Sequence, residues 1–285
     1  MPLVSPKQGK AYLIRMELDM GFDDGRKLKG VYAAEVLHNK QVTPHMVRLT
    51  LGGDDLRRFP QRGFDQWFRL FLPRPNGEAT NFDAVPEKLG TIDYLKYLRH
   101  GDRPPLRNYT VREHRPDLGE IDVDFVVHGD LGIAGPWART AQPGERVVLM
   151  DQGTGFDLAP DASFHLLVGD ESALPAIVGI LRDMPRDARG LAIIEIPDMA
   201  DVQDVSGPEG VEVRWLARGD SAGQPGALAI AEVKAFTPEA PATLSAYLVG
   251  ERTIPAEGRR HLVSLGVPKS RITFVGYWRI GKAQA

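Results

Sequence analysis

The stretch Arg107-Asn108-Tyr109-Thr110-Val111-Arg112 decides the fold of this sequence. Residues two apart on a strand point to the same face, so Arg107 and Tyr109 are predicted to be neighbours there. A guanidinium binds phosphate through charge-assisted hydrogen bonds, and a phenol ring packs against a flavin or hydrogen-bonds to it. Thr110, on the opposite face, offers a hydroxyl and a backbone N–H group. This pattern, with Asn108 between its two key residues, is typical of a barrel strand that binds a flavin dinucleotide.

A glycine-containing turn follows in the chain and leads into a helical segment. The strand that ends at Val126-Val127 is followed by Gly132 and by Gly135-Pro136-Trp137-Ala138. Glycine lets the backbone approach a phosphate closely, and proline is tolerated where a helix begins. The unpaired N–H groups at a helix start also attract an anion. The strand and the turn together therefore predict FAD-binding residues: Arg107, Asn108, Tyr109, Thr110, Gly132, Gly135, Pro136 and Trp137.

Short strands separated by turns continue on both sides of this motif. Several alternate apolar and polar residues, as in Ile121-Asp122-Val123-Asp124-Phe125, which is typical of half-buried antiparallel strands. Strands are predicted at 31–37, 46–51, 67–72, 108–113, 121–128 and 146–151, with one helix at 134–141. Strands at this spacing predict a barrel, and the insertion at 73–105 is predicted to cross one mouth of it.

After Gly153-Thr154-Gly155 the pattern changes to apolar strands that alternate with helices. Strands are predicted at 164–168, 191–196, 211–216, 246–249 and 272–277, and helices at 173–184, 227–236 and 259–265. Such an alternation predicts a parallel sheet covered on both faces. The sequence thus predicts an N-terminal arm (1–30), an antiparallel FAD-binding β-barrel domain (31–155) and an NAD(P)H-binding-like α/β domain (156–285). Flavin is expected at their junction and nicotinamide at the carboxyl ends of the parallel strands.

Composition excludes several classes of protein. The 285 residues include no cysteine, which excludes disulfides, thiolate catalysis and cysteine-ligated zinc or iron–sulfur clusters. The seven histidines form no paired motif, so no metal site is predicted. A net charge of −3 argues against a general nucleic-acid binder. No apolar run is long enough to span a membrane, and Ala11-Tyr12-Leu13-Ile14 is too short for a signal peptide. We therefore expect a cytoplasmic protein without membrane insertion.

The ordered set of motifs resembles the siderophore-interacting proteins, a family of FAD-dependent ferric-siderophore reductases with a ferredoxin-reductase-like fold. The resemblance begins near Val31 and covers most of the chain. Arg69 stands where the family usually has lysine, the Gly-Pro turn before Trp137 is shortened, and Gln152-Gly153-Thr154-Gly155 lacks the usual Pro-Arg. The matching runs are Ala34-Glu35-Val36-Leu37, Thr43-Pro44-His45-Met46, Arg69-Leu70-Phe71-Leu72-Pro73, Arg107-Asn108-Tyr109-Thr110, His128-Gly129, Gly135-Pro136-Trp137-Ala138, Gly169-Asp170-Glu171-Ser172-Ala173-Leu174-Pro175-Ala176, Gly250-Glu251 and Gly276-Tyr277-Trp278-Arg279.

The resemblance implies further binding residues. It implies cofactor contacts from His128 and Gly129, a nicotinamide-facing loop at Asp170, Glu171 and Ser172, and packing of Trp278 over the flavin. The acids of that loop also suit the start of a helix. For a ferric siderophore, which is oxygen-rich and often anionic, the expected cations are Arg69, Arg139, Arg279 and Lys282.

The identity of the electron donor stays open at this point. Glu195 or Asp198 is placed to accept the ribose 2′-hydroxyl of NADH, whereas Arg214 or Arg218 is suited to the 2′-phosphate of NADPH. Reduced ferredoxin is a third possible donor.

The predicted function is FAD-dependent reduction of ferric siderophores, with release of Fe²⁺. The flavin would supply the chemistry, so no catalytic acid, base or nucleophile is predicted among the side chains. Two alternatives stay open. One is a general NAD(P)H flavin or ferric-chelate reductase, and the other is a non-catalytic siderophore-binding carrier.

Overall fold

The computed structural model describes residues 30–86, 96, 97, 99, 101–127, 129, 132–219 and 223–281. Within these residues the strands form one antiparallel sheet of seven strands and one parallel sheet of five. The elements in chain order are β1 (Tyr32–Thr43), β2 (Met46–Gly52), β3 (Trp67–Phe71), β4 (Leu106–Thr110), β5 (Glu113–Arg115), β6 (Glu120–Val126), α1 (Ala134–Thr140), β7 (Arg146–Gly153), β8 (Phe164–Gly169), α2 (Leu174–Asp183), β9 (Gly190–Ile196), β10 (Val211–Ala217), α3 (Ala227–Ala235), β11 (Leu244–Glu251), α4 (Thr253–Ser264) and β12 (Ile272–Trp278).

The antiparallel sheet has the strand order β4-β3-β7-β1-β2-β6-β5. Alternation places Val47, Leu49 and Leu51 of β2 in one apolar core with Val123 and Phe125 of β6. The residues between them, such as Arg48 and Asp124, point outward, where their side chains form an ion pair of 2.6 Å. The alternation therefore separates the apolar core from the outer face, but β6 is covered on both faces, since Asp122 and Asp124 are also buried.

The chain itself closes this sheet into a barrel. The two edge strands, β4 and β5, are consecutive and are separated only by Val111 and Arg112. The N–H of Val111 donates to the carbonyl of Gln66 before β3, whereas the N–H of Arg112 donates to the carbonyl of Asp122 in β6. Two residues thus carry the chain from one edge of the sheet to the other.

The parallel sheet has the order β10-β9-β8-β11-β12. Helix α2 covers one face, where it packs on Leu167, Ile194 and Val249. Helices α3 and α4 cover the other face and pack on residues such as Leu166 and Leu248. The face under α2 also contacts Met46 of β2, so this helix lies between the two sheets.

Four predictions about elements are corrected by the structure. The single strand predicted at 108–113 is two strands, β4 and β5, because the chain changes partners at Val111 and Arg112. The barrel sheet consequently has seven strands rather than six. The helix predicted at 259–265 begins earlier, at Thr253. Of the insertion at 73–105, Val85 and Tyr97 pack on the outer wall rather than across a mouth. Residues 1–29 of the predicted arm lie outside the described residues.

Candidate functional site

The first part of the site is a seam in the barrel between β4 and β6. Strand β4 pairs with β3 on one side. On its other side the ring of Tyr109 lies against Phe125 of β6, with 4.3 Å between ring centroids. Phe125 in turn contacts the indole of Trp137 in α1 at 5.7 Å. We name this feature the barrel seam and define it by Arg107, Tyr109, Phe125 and Trp137.

Arg107 and Tyr109 occupy the exposed edge of the barrel seam. Both side chains are half-buried. Burial raises the pKa of Tyr109, and the positive charge of Arg107 opposes this rise. This opposing effect indicates that the guanidinium lies close to the phenol. Arg107 donates a hydrogen bond of 2.6 Å to the carbonyl of Leu106. The predicted neighbours are therefore together on one strand face, whereas Asn108 is exposed and Thr110 is buried on the outer wall.

The opposite side of the seam is formed by the turn before α1. Gly129 and Gly132 have φ values of +55° and +84°, and among the described residues, chain neighbours aside, no atom lies within 4 Å of a Cβ built at either. Glycine adopts this backbone region without strain. The helix begins at Ala134, and the preceding Ile133 supplies no side-chain cap to its first N–H groups. This turn consequently presents open backbone to the seam.

The roles of Pro136 and Gly135 differ from those predicted. Pro136 is the third residue of α1 rather than the first, although it still lies in the first turn. At Gly135, an added Cβ would lie 3.1 Å from the carbonyl of Val126, so this glycine allows α1 to pack closely on the end of β6. Trp137 donates its indole N–H to Glu145 at 2.7 Å. His128 lies outside the described residues.

The residues of the barrel seam fit a flavin dinucleotide. A cation and a phenol stand on one side, and open glycine backbone with an uncapped helix start stands on the other. Such an arrangement suits a ligand with a flat ring at one end and phosphates at the other. Arg107 would face the phosphates and Tyr109 the ring system, with Gly129 and Gly132 against the backbone of the ligand.

The loop after β8 forms the second part of the site. Asp170 is fully buried, and its carboxylate accepts hydrogen bonds from Ser172, from the N–H of Glu251 at 2.6 Å and from the indole of Trp278 at 2.9 Å. The carboxylate therefore faces protein donors rather than an open surface. Of the loop residues predicted to contact nicotinamide, only Ser172 is half-exposed, whereas Asp170 and Glu171 are buried.

A buried ion-pair network lies beside this loop. Arg218 donates to both carboxylate oxygens of Glu171 at 2.7 and 2.8 Å, and to Glu195 at 3.1 Å. Glu195 is fully buried and also accepts the N–H groups of Gly226 and Ala229 at the start of α3. Glu195 and Arg218 therefore have internal roles, which corrects the expectation that either one is available to the 2′ position of a dinucleotide.

Of the other two candidates for the 2′ position, Asp198 is exposed and Arg214 is half-buried. Asp198 lies after β9, where its carboxylate accepts the N–H of Ala200 at 2.8 Å. Arg214 of β10 pairs with Glu212 at 2.8 Å and with Glu232 at 2.6 Å.

The end of β12 joins the two parts of the site. Trp278 is half-buried, and the hydroxyl of its neighbour Tyr277 lies 2.9 Å from the hydroxyl of Tyr247. Tyr247 donates to Asp65 at 2.8 Å. Asp65 precedes β3, whose first residue, Trp67, pairs with Thr110 of β4. Tyr277 is thus linked to the barrel, and Trp278 follows it at the end of β12, where its indole donates to Asp170.

Asp65 and Tyr247 are the principal residues that the sequence analysis missed. Both are almost fully buried, and each satisfies the other's polar group. A tyrosine within an otherwise apolar strand is the signal that was available, because a buried phenol needs a hydrogen-bond partner. The identity of that partner was not accessible, since it lies in the other domain.

The predicted substrate cations occupy separate elements. Arg69 is on the outer wall of the barrel, opposite Asn108 in the β3–β4 pair. Arg139 is exposed in the last turn of α1, and Arg279 is exposed directly after β12. Lys282 lies outside the described residues. Among the described residues there is no group of three acidic or histidine side chains arranged to bind a metal ion, and no helix long and apolar enough to cross a membrane.

Comparison with known proteins gives close relatives over most of the chain. Ferric vibriobactin reductase ViuB of Vibrio cholerae is 34% identical over 249 residues, which cover 87% of this chain and 89% of the relative. The NADPH-dependent ferric-chelate reductase of Escherichia coli is 30% identical over 192 residues, which cover 66% and 71%.

Comparison with solved structures also gives matches over most of the chain. The crystal structure of a siderophore utilization protein from T. fusca superposes with a TM-score of 0.76 at 31% identity, covering 90% of this chain and 95% of that one. The ferredoxin reductase of carbazole 1,9a-dioxygenase has a TM-score of 0.60 at 18% identity over 87% of this chain and 69% of its own, which shows the ferredoxin-reductase-like fold alone.

Family models match both halves of the chain. Residues 35–155 match the siderophore-interacting FAD-binding domain, and residues 162–281 match the siderophore-interacting protein model. These matches cover the antiparallel barrel with its seam and the parallel sheet with its buried loop. The chain therefore belongs to the siderophore-interacting protein family.

Proposed function

We propose that this protein is an FAD-dependent reductase of ferric siderophores that releases iron as Fe²⁺. In this proposal residues 31–155 hold FAD, and residues 156–285 receive the electron donor and supply a tail that faces flavin and substrate. The observation that carries the proposal is the barrel seam, with Arg107 and Tyr109 on one side and open glycine backbone on the other. Family membership and the relative named as a ferric vibriobactin reductase support the same reaction.

The proposed roles of the side chains are binding and orientation. Arg107 neutralises phosphate charge, and Tyr109 packs against the ring system, with Asn108 and Thr110 on the other face of the same strand. The opposite side is assigned to Gly129, Gly132, Gly135, Pro136 and Trp137, and His128 is a further proposed contact. FAD would take a hydride from nicotinamide and pass single electrons to Fe³⁺.

Substrate binding is assigned to cations near the flavin. A ferric tris-catecholate carries three negative charges, and reduction of its iron adds one more. Arg69, Arg279 and Lys282, with Arg139 as a further candidate, would attract the complex and lower the electrostatic cost of that added charge. Hard oxygen ligands hold Fe²⁺ more weakly than Fe³⁺, so reduction releases the metal.

We further propose NADH as the preferred donor, with NADPH and reduced ferredoxin as the alternatives. Arg218 is held by two buried carboxylates, and Arg214 is paired with two more. Both arginines that the sequence offered to a 2′-phosphate are thus engaged. Because reduced nicotinamide dinucleotides are available in the cytoplasm, the cytoplasm is the proposed site of action.

Absorption spectroscopy tests this function directly. Purified protein incubated with FAD should retain the yellow cofactor after gel filtration, and anaerobic addition of NADH should bleach it faster than NADPH does. Addition of a ferric siderophore should then restore the flavin absorbance with two iron atoms reduced per flavin. A protein that stays colourless but binds the siderophore would be a carrier instead.

The second candidate function is general reduction of ferric chelates, favoured by the relative named as an NADPH-dependent ferric-chelate reductase. Steady-state kinetics with a ferric siderophore and with ferric citrate separate the two functions. A siderophore reductase should have a higher kcat/KM for the siderophore. Equal values for both chelates would favour the general reductase.

A further inference from the structure

Three motifs that are far apart in the chain meet at the carboxylate of Asp170. One oxygen accepts the N–H and the hydroxyl of Ser172, at the start of α2. The other accepts the N–H of Glu251 at the end of β11 and the indole N–H of Trp278 at the end of β12. The ends of three neighbouring elements of the parallel sheet are therefore tied to one side chain.

The backbone around Asp170 is shaped to admit this carboxylate. Gly250 has φ +111°, and a Cβ built on it would lie 2.8 Å from the carboxylate carbon of Asp170. A side chain at position 250 would thus push the carboxylate away from Glu251 and Trp278. The glycine of the Gly250-Glu251 motif is consequently explained by the space that Asp170 needs.

Asp170 has no free surface with which to touch a dinucleotide. Its side chain is fully buried, and both oxygens are occupied by protein donors. Trp278, in contrast, is half-buried and lies next to Tyr277, which is linked through Tyr247 to the barrel. Any influence of Asp170 on the reaction must therefore pass through the residues that it holds.

We propose that Asp170 is a positioning residue that fixes the indole of Trp278 beside the flavin and so sets the approach of the nicotinamide donor. This inference depends on the proposed function, because it assigns the donor side of the same site. A carboxylate suits the position, since its oxygens face hydrogen-bond donors from Ser172, Glu251 and Trp278. An amide at position 170 would keep one uncharged acceptor oxygen and would present its N–H₂ group either to Ser172 or to Glu251 and Trp278.

The surroundings of Asp170 have opposing effects on the pKa of its carboxyl group. Burial and then the nearby charge of Glu171 raise the pKa of Asp170 to about 6, although the hydrogen bonds from Ser172, Glu251 and Trp278 lower it. The groups that face it are Glu171 on its own loop, Glu251 on β11 and Tyr277 on β12, whose pKa is in turn raised partly by Asp170. The hydrogen bond to Trp278 should therefore be strongest above pH 6, where the carboxylate is ionised.

Nuclear magnetic resonance of the indole N–H groups tests the contact without any cofactor. The full chain has four tryptophans, and the signal of Trp278 is assigned as the one missing from Trp278→Phe. In Asp170→Asn this signal should move upfield while the other three stay. Ser172→Ala, which removes the hydroxyl donor to the other oxygen, is the matched control and should leave it in place. An unchanged Trp278 signal in Asp170→Asn would overturn the proposal.

A double-mutant cycle tests the functional part. Asp170→Asn should slow anaerobic flavin reduction by NADH about 10-fold, since small misplacements at a reacting centre are costly. In the Trp278→Phe background the same change should have no further effect. A slowing of the same size in both backgrounds would show that Asp170 acts on the donor directly, which contradicts the proposal.

A titration of the wild-type protein covers the case in which Asp170→Asn does not fold. The indole signal of Trp278 should shift with an apparent pKa near the value of about 6 given for Asp170. A signal that stays constant through that range would overturn the proposal. Failure of the wild-type protein to bind FAD is a separate outcome, visible in its absorption spectrum, and would overturn the proposed function as well.

Discussion

The hydroxyl of Tyr247, in the middle of β11, donates a hydrogen bond of 2.8 Å to the carboxylate of Asp65 in the loop before β3. Asp65 also accepts the N–H groups of Gly155 and Phe156, in the segment that connects the two sheets. One buried carboxylate therefore joins the barrel, the connection and the parallel sheet. The hydroxyl of Tyr247 also lies 2.9 Å from the hydroxyl of Tyr277 in β12.

Removal of this hydroxyl should weaken the junction of the two domains. Tyr247→Phe leaves the Asp65 carboxylate with one donor fewer in a buried position, which costs about 1–3 kcal/mol. Tyr277→Phe is the matched control, because its hydroxyl contacts the hydroxyl of Tyr247 rather than the Asp65 carboxylate, and it should cost less. Urea unfolding of both variants measures the difference. Equal stability of Tyr247→Phe and the wild type would contradict a joining role for Asp65.

A second polar contact between the domains should make stability depend on pH. Asp201 accepts hydrogen bonds from Thr43 at 2.7 Å and from the backbone and ring of His45. Burial alone would raise the pKa of Asp201, but these hydrogen bonds outweigh it and lower the pKa. A lowered pKa means that the stabilisation is complete above the unfolded value, about 3.9, and is lost as pH falls below it.

The variant Asp201→Asn keeps the shape of the side chain but removes its charge. It should reduce the free energy of unfolding by about 1–3 kcal/mol at neutral pH. The difference from the wild type should shrink as the pH falls through about 4. Urea unfolding at several pH values measures both effects. A difference that stays constant down to pH 3 would exclude the carboxylate as its source.

The sequence predicted the fold well because the periodicity of its apolar residues is strong in both halves. Alternation in Ile121-Asp122-Val123-Asp124-Phe125 correctly marks a strand, but the expectation of one exposed face was wrong, because Asp122 and Asp124 are also buried in β6. The single strand predicted at 108–113 failed for a different reason. The change of partner at Val111 depends on Gln66 and Asp122, which are distant in the chain.

The candidate site was predictable where it consists of a local motif. Arg107 and Tyr109 share a face because they are two residues apart, and the structure places them together. Arg218 was out of reach of the same reasoning. Its two carboxylates come from the loop after β8 (Glu171) and from β9 (Glu195), and only the folded sheet shows that all three side chains are buried together.

The buried pairing of Arg218 gives a prediction about stability. Arg218→Ala would leave Glu171 and Glu195 without their cation, and loss of one partner of a buried pair typically costs about 3–5 kcal/mol. Arg214→Ala is the matched control, since its pairs with Glu212 and Glu232 are more exposed and are worth at most about 1 kcal/mol. Thermal unfolding of both variants measures how much stability each one loses. Similar losses in both variants would contradict the network described here.

The position of Arg69 on the outer wall of the barrel leads to a prediction about which ferric chelate the protein prefers. Arg69→Ala should raise KM for a ferric siderophore about 10-fold, equivalent to about 1.4 kcal/mol, and should affect ferric citrate less. Arg58→Ala is the matched control, because Arg58 is an exposed barrel arginine that pairs with Asp55. Steady-state kinetics with both chelates measure the effect. An equal change for both chelates would remove Arg69 from the siderophore site.

The most direct measurement is the dissociation constant of FAD for the wild type and for Arg107→Ala, obtained from flavin fluorescence. A charge-assisted contact to phosphate is worth about 1.5–3 kcal/mol, so the variant should bind FAD about 10- to 100-fold more weakly. Arg58→Ala should bind it like the wild type. A wild-type protein that binds no FAD, or an Arg107→Ala variant that binds it equally tightly, would contradict the assignment of the barrel seam as the flavin site.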